Sequence, residues 1–292
     1  MSLSNLQNSI VGIVGLGVVG DGVQHYFQRT DHEIKVYDPK RGLGSVQSIN
    51  EADVVFICAP TPHLPERGVD DSAIENAIGV LKGSKVVIIK STVLPGTTEA
   101  FQTRYSQHCL LFNPEFLREA YARTDFLRPD RQIVGYTAQS RHLADAVLAM
   151  LPAAPYTQVM GAREAEMAKY MTNTFLALKV TFANEIFDLC TSLDVDYDNV
   201  REAVTADLRI GDSHLNVNED GYRGYGGKSL PKDTKALLEL GERMQVPLRL
   251  LRTADRINDS LLPPSTKPPI LRLLPVPAQD TIDSKTLDSQ VA

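Results

Sequence analysis

The sequence has no excess of basic residues: 30 Lys and Arg stand against 36 Asp and Glu, which gives a formal net charge of −6. Nucleic acids and acidic membrane surfaces are bound by clustered cations, so this balance argues against both kinds of partner. A long apolar run is also missing, because the longest, residues 10–19, is far shorter than the ~20 residues of a membrane span. The first residues carry no basic segment, so no signal peptide is expected.

Cysteine is scarce. Its three positions, Cys58, Cys109 and Cys190, lack the spacing of a metal site and cannot all pair, which predicts a reducing compartment and no bound metal. The 292 residues allow about two domains, and 43% hydrophobic with 23% charged residues is ordinary for a packed protein. Composition therefore predicts a cytoplasmic protein of two domains, without nucleic-acid or membrane partners.

Short apolar runs alternate with helical patterns over residues 1–160. The predicted strands are residues 10–14, 33–37, 53–58, 85–89, 109–112 and 132–136. The predicted helices between them are residues 21–28, 72–81, 97–106 and 139–150. Near-continuous apolar strands that alternate with helices are typical of a doubly wound parallel sheet. The sequence thus predicts an α/β fold that begins with a Rossmann-type domain over residues 1–160.

Residues 162–193 show apolar positions at helical spacing without Gly or Pro. A helix of this length is long for a globular protein and commonly serves as a spine or dimer seam, so a homodimer through this helix is expected. The all-helical second domain, predicted for residues 161–262, would add helices at 197–203, 233–244 and 248–258 and a Gly-rich loop at 207–231. Loops of such length are usually functional.

The end of the sequence is rich in proline. Six of the 17 prolines fall in residues 263–292. Proline fixes the backbone in extended conformations and removes a hydrogen-bond donor, so we expect an extended or disordered tail and no third domain in this segment.

A glycine-rich turn follows the first predicted strand. It reads Gly15-Leu16-Gly17-Val18-Val19-Gly20 and opens the first helix, and Asp38 ends the second strand. Glycines at this spacing permit a tight turn, close approach to a pyrophosphate and close packing of helix on sheet, while the helix N-terminus receives negative charge. Asp38 can accept hydrogen bonds from ribose hydroxyls and would repel a 2′-phosphate. The pattern predicts NAD binding, although Lys40 and Arg41 weaken the distinction from NADP.

Three further segments follow predicted strands, at the edge of the sheet where ligands bind. They are Ala59-Pro60-Thr61-Pro62, residues 90–98 (KSTVLPGTT) and residues 113–119 (NPEFLRE). Prolines that end strands and hydroxyls that cap helices would explain each one singly. Glu115 and Glu119 stand four apart, so a shared helix face turned to solvent is as good an interpretation as a site.

Two more groups of polar residues lie in the second domain. Lys169 and Asn173 are four apart on one face of the long helix, where a solvated stripe is the simpler interpretation. Residues 224–233 (GYGGKSLPKD) bring three glycines, a hydroxyl, a cation and a carboxylate together before a helix. A plain turn and a ligand site explain that composition equally well.

The order of these motifs is informative. The chain contains, in sequence, the glycine-rich turn, APTP, KSTVLPGTT, NPEFLREA followed by DFLRPDR, KYMTN and GYGGKSLPKD. This set closely resembles the UDP-glucose/GDP-mannose 6-dehydrogenase family over about residues 9–260. The resemblance implies NAD-dependent oxidation of the C6 alcohol of a sugar nucleotide to a carboxylate, in two hydride transfers. A β-hydroxyacid dehydrogenase shares the Rossmann domain, long helix and Lys-x-x-x-Asn pair, but NPEFLRE and LPKD point away from it.

The resemblance also implies a role for each matching position. The cofactor would be lined by Gly15, Gly17, Val18, Val19, Gly20, Asp38, Thr61, Thr92, Glu119 and Lys232. The substrate would be contacted by Glu115, Phe116, Leu117, Arg118, Lys169, Asn173 and Gly226. Lys169 and Asn173 would stabilise the oxyanion, and Thr92 and Asp233 would hold the water that accepts the hydroxyl proton and later attacks the acyl intermediate. The catalytic set is thus Thr92, Glu119, Lys169, Asn173, Ser229 and Asp233.

The chain departs from the family pattern in two places. Ser229 stands where the family has its nucleophilic cysteine, and an unassisted serine supplies almost no nucleophilic anion at neutral pH. It fits a natural variant arrested at the aldehyde, an engineered replacement that traps a complex, or a catalytically silent binding homologue. The Pro-rich segment also stands where the family's third domain would begin, so part of the nucleotide contacts would be absent or come from another subunit.

Overall fold

The computed structural model describes residues 6, 8–64, 68–218 and 221–263. Seven strands form the main sheet: β1 Val11–Val14, β2 Ile34–Tyr37, β3 Val54–Ile57, β6 Val86–Ile89, β7 Cys109–Phe112, β8 Arg131–Tyr136 and β9 Tyr156–Gly161. A separate small hairpin pairs β4 His63–Leu64 with β5 Gly68–Val69. The six strands predicted from the sequence are all present within about one residue at most ends, whereas β9 and the hairpin were not predicted.

The strand order of the main sheet is β2-β1-β3-β6-β7-β8-β9. The chain moves outward from β1 to β2 and then returns to place β3 on the other side of β1, so a topological switch point lies between β1 and β3. In open α/β sheets ligands bind in the crevice at the carboxyl ends of the strands flanking such a point. The fold itself therefore directs attention to the residues that follow β1 and β3.

One junction of the sheet is antiparallel. β7 and β8 run in opposite directions, while all other neighbouring strands of this sheet are parallel. The prediction of a uniformly parallel sheet is wrong at this junction because the chain makes no crossover between the two strands. It stays at the carboxyl edge of the sheet, packs α5 Ala122–Leu127 against the first helix, and enters β8 from that same edge.

Ten helices occur in the described residues. They are α1 Val18–Phe27, α2 Val46–Ile49, α3 Ser72–Gly79, α4 Thr97–Arg104, α5 Ala122–Leu127, α6 Ala144–Met150, α7 Ala162–Ser192, α8 Tyr197–Thr205, α9 Leu230–Arg243 and α10 Arg249–Leu261. The first helix begins three residues earlier than predicted, directly after the second glycine of the glycine-rich turn. None of the described helices is long and apolar enough to cross a membrane.

The core lies on both faces of the sheet. β1, β3 and β6 are buried along their whole length. Their side chains point alternately to the two faces of the sheet, so they belong to two separate hydrophobic clusters. One cluster packs α1, α5 and α6 against the sheet around Phe27, Phe56 and Phe126. The other packs α3 and α4 around Ile78, Phe101 and Phe112. This arrangement confirms the predicted α/β class with helices on both faces of a mostly parallel sheet.

The long helix α7 joins the sheet to the helical region. Its first turns pack on β7 and β8, and its later turns pack on α8, α9 and α10. The predicted helix of residues 162–193 is confirmed: α7 begins at the predicted residue and ends one residue earlier than predicted. The division into domains at residues 1–160 and 161–262 stays a prediction. The predicted Pro-rich tail lies outside the described residues from 264 onward.

Candidate active site

The three glycines of the turn after β1 meet three different constraints. Gly15 has φ +88°, and a Cβ there would lie 2.8 Å from the Cys58 carbonyl oxygen. A Cβ on Gly20 would lie 1.9 Å from the Gly15 oxygen, so α1 could not start so close to the strand. A Cβ on Gly17 would have no heavy atom of the described residues within 4 Å, so the backbone there is open to a ligand.

Asp38 is buried at the end of β2 and faces this turn. Its Oδ2 accepts the amide N–H of Leu16 over 2.8 Å, and its Oδ1 accepts that of Arg41 over 3.2 Å. The Arg41 guanidinium donates in turn to the Leu16 carbonyl over 2.8 Å. The carboxylate is therefore fixed beside the glycine turn, where it can accept from ribose hydroxyls with its remaining lone pairs.

The loops after β3 and β6 are joined to each other. Thr61 donates from its hydroxyl to the Thr92 carbonyl over 2.8 Å, and Ser91 donates to the Ala59 carbonyl over 2.7 Å. Thr61 is buried and Thr92 half-buried. Both predicted cofactor threonines thus stand next to the switch point of the sheet, on loops that hold each other in place.

Glu115 and Lys169 form a buried ion pair. The Lys169 ammonium donates to Glu115 Oε1 over 2.9 Å and to the Glu115 carbonyl over 2.7 Å, and Leu117 N–H donates to Oε2 over 2.7 Å. Burial is the largest single influence on the Glu115 carboxyl and opposes its ionisation. The Lys169 charge, the hydrogen bonds from Leu117 and Lys169 and the Lys90 charge together outweigh burial and hold the pKa of Glu115 below its ordinary value. The interpretation of Lys169 as part of a solvated stripe is wrong, since its side chain is 4% exposed.

The segment from Pro114 to Arg118 has no helical structure, so Glu115 and Glu119 do not share a helix face. Glu119 is exposed and begins a 3-10 turn, where it accepts from the Lys228 ammonium over 2.6 Å. This ion pair connects the edge of the sheet to the glycine loop before α9. Arg118, which was predicted to contact substrate, is exposed and pairs with Asp125 over 2.7 Å.

The other side chains of this segment lie close to Lys169. The Phe116 ring makes cation–π contacts with two side chains. Lys169 Nζ lies 5.5 Å and the Arg131 guanidinium carbon 3.8 Å from its ring centre. Leu117 contributes its backbone N–H to Glu115 and packs partly buried against the core. The structure therefore brings Glu115, Phe116 and Lys169 together and leaves Arg118 facing solvent.

Asn173 and Asp233 form a second buried pair, one turn further along α7. Asn173 donates from Nδ2 to Asp233 Oδ2 over 2.5 Å, and Lys232 donates to Asp233 Oδ1. Asp233 is fully buried at the start of α9, and Asn173 is buried as well. The packing of α9 on α7 thus places a carboxylate, an amide and an ammonium in contact.

Ser229 is exposed and immediately precedes α9, whose first turn contains Pro231. Gly227, with φ +72°, precedes it by two residues, and a Cβ on Gly226 would lie 2.3 Å from the Tyr222 hydroxyl. The positive φ favours glycine at position 227, whereas a side chain at position 226 would require the Tyr222 ring to move. The loop presents Ser229 at the positive end of a helix. Cys58 cannot serve as a substitute thiol, because burial in the core raises its pKa to about 12.

Two buried charged residues were given no role of their own from the sequence, although Lys90 opens the predicted segment of residues 90–98. Lys90 donates to Asn113 Oδ1 over 2.6 Å, and burial lowers its pKa to about 8. Glu166 accepts the N–H of Gly96 over 2.5 Å and that of Thr98 over 2.8 Å at the start of α4, and burial raises its pKa to about 7. A lysine that ends the apolar strand β6 is a signal that could have identified Lys90; Glu166 carries none.

A cleft of ≈ 530 Å³ lies beside Gly17. One wall is formed by the glycine turn and the start of α1, and the other by the 3-10 turn and α5; its lining residues include Leu16, Gly17, Val18, Asp21, Glu119, Ala120, Tyr121, Ala122, Arg123 and Thr124. Val19, the remaining predicted residue of the turn, packs partly buried against the core. An open glycine backbone, a helix N-terminus and a buried carboxylate at the neighbouring strand end suit a dinucleotide.

The sequence matches two domains of one protein family. Residues 44–151 match the UDP-glucose/GDP-mannose dehydrogenase family, NAD binding domain, and residues 163–260 match the central domain of the same family. The predicted cofactor, NAD, is confirmed by the first of these matches. The gap between the two matched ranges, residues 152–162, ends at the first residue of α7.

Individual relatives agree with this match. The chain is 34% identical to the UDP-glucose 6-dehydrogenase of Rhizobium meliloti over 228 residues, which are 73% of this chain and 51% of that protein. It is 33% identical to the UDP-glucose 6-dehydrogenase AglM of Haloferax volcanii over 243 residues, 76% of this chain and 56% of that protein. The chain thus spans about half the length of these curated relatives.

A solved structure shares the fold. The UDP-glucose dehydrogenase of Pyrobaculum islandicum superposes with a TM-score of 0.76 at 31% identity, over 87% of this chain and 68% of that one. The similarity extends over both the sheet and the helical region that follows it.

Proposed function

Because the chain belongs to the UDP-glucose/GDP-mannose dehydrogenase family, we propose that it oxidises the C6 alcohol of a UDP-sugar with NAD as the hydride acceptor. The observation that carries this proposal is the pair of buried contacts on one face of α7, Lys169 with Glu115 and Asn173 with Asp233. Removing polar side chains from water is unfavourable. Four of them buried together at one helix face are therefore typical of a functional site.

Lys169 and Asn173 are suited to stabilise negative charge on the reacting oxygen. The Lys169 ammonium has three N–H donors, and within the described residues two of them are engaged by Glu115. One of the two Nδ2 hydrogens of Asn173 is engaged by Asp233. Each side chain therefore keeps one donor for an oxyanion, in positions fixed before the substrate arrives.

Glu115 and Asp233 orient these donors. Glu115 is locked by Leu117 N–H and Lys169, and Asp233 by Asn173 and Lys232. Thr92 and Asp233 would hold the water that takes the proton of the C6 hydroxyl. The Asp233 carboxylate is a stronger hydrogen-bond acceptor than the Thr92 hydroxyl, so it would accept from that water. Gly226 would let the substrate approach the backbone of the loop before Ser229.

NAD accepts the hydride when it is bound. The residues that would hold it are those of the glycine turn, Gly15, Gly17, Val18, Val19 and Gly20, together with Asp38, Thr61, Thr92, Glu119 and Lys232. Asp38 supports NAD over NADP, because a fixed carboxylate at the ribose would repel a 2′-phosphate.

Ser229 limits the second oxidation in this proposal. Serine lacks the acidity to form a covalent adduct without a base, so the expected product is the aldehyde or its hydrate, formed with one hydride transfer. The same residue favours a second candidate, a binding homologue without turnover.

A substrate assay with product analysis distinguishes these functions. The purified chain is incubated with NAD and either UDP-glucose or GDP-mannose, NADH is followed by absorbance, and the sugar product is identified by mass. NADH formation with UDP-glucose supports the proposal when the product is lighter by two hydrogens, as the aldehyde is, or heavier by one oxygen, as the aldehyde hydrate is. Binding of NAD and UDP-glucose without NADH formation supports the silent homologue.

We also propose that the chain forms a homodimer through α7 and acts in the cytoplasm. Large apolar side chains lie exposed along one side of this helix and directly after its end, a set that we call the α7 stripe: Met167, Met171, Phe175, Phe182 and Leu189 in the helix and Leu193 at its C-cap. Exposed apolar patches of this extent are typical of subunit interfaces. The low cysteine count and the absence of paired thiols among the described residues support a reducing compartment.

A further inference from the structure

The cofactor cleft contains a charged pair that lies outside every motif of the sequence. Arg123, on α5, lines the cleft opposite Gly17 and Val18. Its guanidinium donates from Nε to Asp21 Oδ2 over 2.8 Å and from Nη2 to Asp21 Oδ1 over 3.1 Å. Asp21 lies in the first turn of α1, directly after the last glycine of the turn. The pair therefore bridges the two walls of the cleft beside the open glycine backbone.

Asp21 alone would oppose a pyrophosphate at this place. Its carboxylate is ionised, since the hydrogen bonds of Arg123 hold its pKa below the ordinary value. A negative charge within a few ångströms of two phosphates repels them, even though the α1 N-terminus attracts them. Arg123 cancels that charge, so the net field at the helix start stays favourable to an anion.

The geometry of the guanidinium leaves it able to bind a second anion. Arginine has five N–H donors in a planar fork, and Asp21 occupies only the edge formed by Nε and Nη2. In the described part of the chain no acceptor engages Nη1, and the Arg123 side chain is 64% exposed. The free edge can therefore bind two phosphate oxygens while the other edge remains fixed to Asp21.

We propose that Arg123 binds the pyrophosphate of the dinucleotide and that Asp21 holds its guanidinium in position. The inference rests on the proposed function only for the identity of the cofactor. It assigns a direct ligand to α5, a segment that contributes no residue to the site predicted from the sequence.

Calorimetric titration with NAD and with ADP-ribose tests the assignment without requiring turnover. Arg123→Gln should weaken the binding of NAD and of ADP-ribose about tenfold, because one charge-assisted phosphate contact is lost. Its dissociation constant should also depend less on salt, because one screened charge contact has been removed. Arg104→Gln is the matched control, since Arg104 on α4 forms a similarly exposed ion pair with Glu75 on α3, away from the cleft; it should leave both affinities unchanged.

Asp21→Asn separates a ligand from a clamp. Both Asp21→Asn and Arg123→Gln break the ion pair between α1 and α5, but only the second removes the proposed phosphate ligand. We expect Asp21→Asn to bind NAD within about threefold of the parent chain, because lost orientation is offset by lost repulsion. Thermal unfolding of each variant verifies that it is folded.

The outcomes are distinct. If Asp21→Asn and Arg123→Gln weaken NAD binding equally, the ion pair only holds the two helices together. If Arg123→Gln leaves the affinity for NAD unchanged, this inference is wrong while the proposed function stands. If the parent chain binds neither NAD nor ADP-ribose, the proposed function and this inference fall together.

Discussion

Lys169 illustrates how a single side chain acquires chemical meaning from its burial. The ammonium pairs with Glu115 in the segment that follows β7, and the side chain is buried there. An exposed helix lysine would be mobile and hydrated, whereas this one is held at a fixed point with one donor to spare. In the proposed reaction, a charge fixed in this way would act on the reacting oxygen with little reorganisation.

Lys169→Ala should lower the rate of the first oxidation about 10²- to 10³-fold, the cost of removing a preorganised donor to an oxyanion. NAD affinity should change little, because the side chain contacts Glu115 and Phe116 and does not line the cofactor cleft. Steady-state kinetics and calorimetric NAD binding are compared with those of the parent chain. A rate within a few-fold of the parent would show that Lys169 is structural.

Ser229→Cys should increase carboxylate formation. Cysteine at the start of α9, close in sequence to Lys232, would have a lowered pKa and a larger thiolate fraction than serine could supply as alkoxide. Two NADH per sugar are expected from the variant, against one or none from the parent chain. The measurement is NADH stoichiometry together with product mass. Equal carboxylate yields would show that the covalent step does not depend on this side chain.

At the scale of elements, α7 carries both the site and the exposed apolar side chains. Burial of Lys169, Asn173 and Glu166 on one side leaves the α7 stripe on another side of the same helix. We therefore expect association through this helix to be independent of ligand.

Replacing Phe175 and Phe182 with Glu should yield a monomer, because charges in an apolar seam are unfavourable by several kcal/mol when unpaired. Light scattering at micromolar concentration compares the double variant with the parent. Leu208→Glu is the control: Leu208 is 96% exposed and apolar but lies outside the α7 stripe, so its substitution should leave the mass unchanged. A parent chain that is already monomeric would contradict the proposed dimer.

Much of the element pattern was predictable, and the exceptions have physical causes. The buried strands β1, β3 and β6 are apolar throughout and were identified directly. β9 was missed because it is an edge strand with exposed polar residues in its first half. The reversal of β8 depends on where α5 packs, which no local pattern encodes.

The site followed the same division. The glycine turn was identified because backbone geometry dictates its residue types, and Asp38 because it ends the neighbouring strand at the expected distance from the turn. Lys169 and Asn173 looked like a solvated stripe because their partners, Glu115 and Asp233, lie 54 and 60 residues away in sequence. Spacing within one helix cannot reveal what packs against it.

At the scale of the whole molecule, Glu166 links the long helix α7 to the start of α4 and should make stability depend on pH. Burial raises its pKa to about 7 from 4.5, so folding favours the protonated carboxyl. Its contribution is fully present below the unfolded value and is lost as the pH rises through about 7, a change of about 3 kcal/mol at most.

Glu166→Gln should flatten this dependence. Denaturant unfolding at several pH values between about 4.5 and 8 gives the slope of stability against pH for both proteins. The parent chain should lose more stability than the variant over this interval, whatever the variant's absolute stability. Parallel slopes would indicate that Glu166 remains ionised throughout.

The continuity of α7 fixes an angular phase between its two ends. The 31-residue helix has no proline or glycine, so Lys169 and Leu189 are held at a constant rotation about one axis. Each residue turns an α-helix by about 100°, so inserting one residue between them would swing the distal apolar side chains by a quarter turn or more, while inserting seven would restore them to within about 20°. An insertion between Lys169 and Leu189 therefore preserves their angular relation only when it rotates the helix by close to a whole number of turns, as seven or eleven residues do to within about 20°. In the proposed dimer, this phase would relate the position of Lys169 to the contact between subunits.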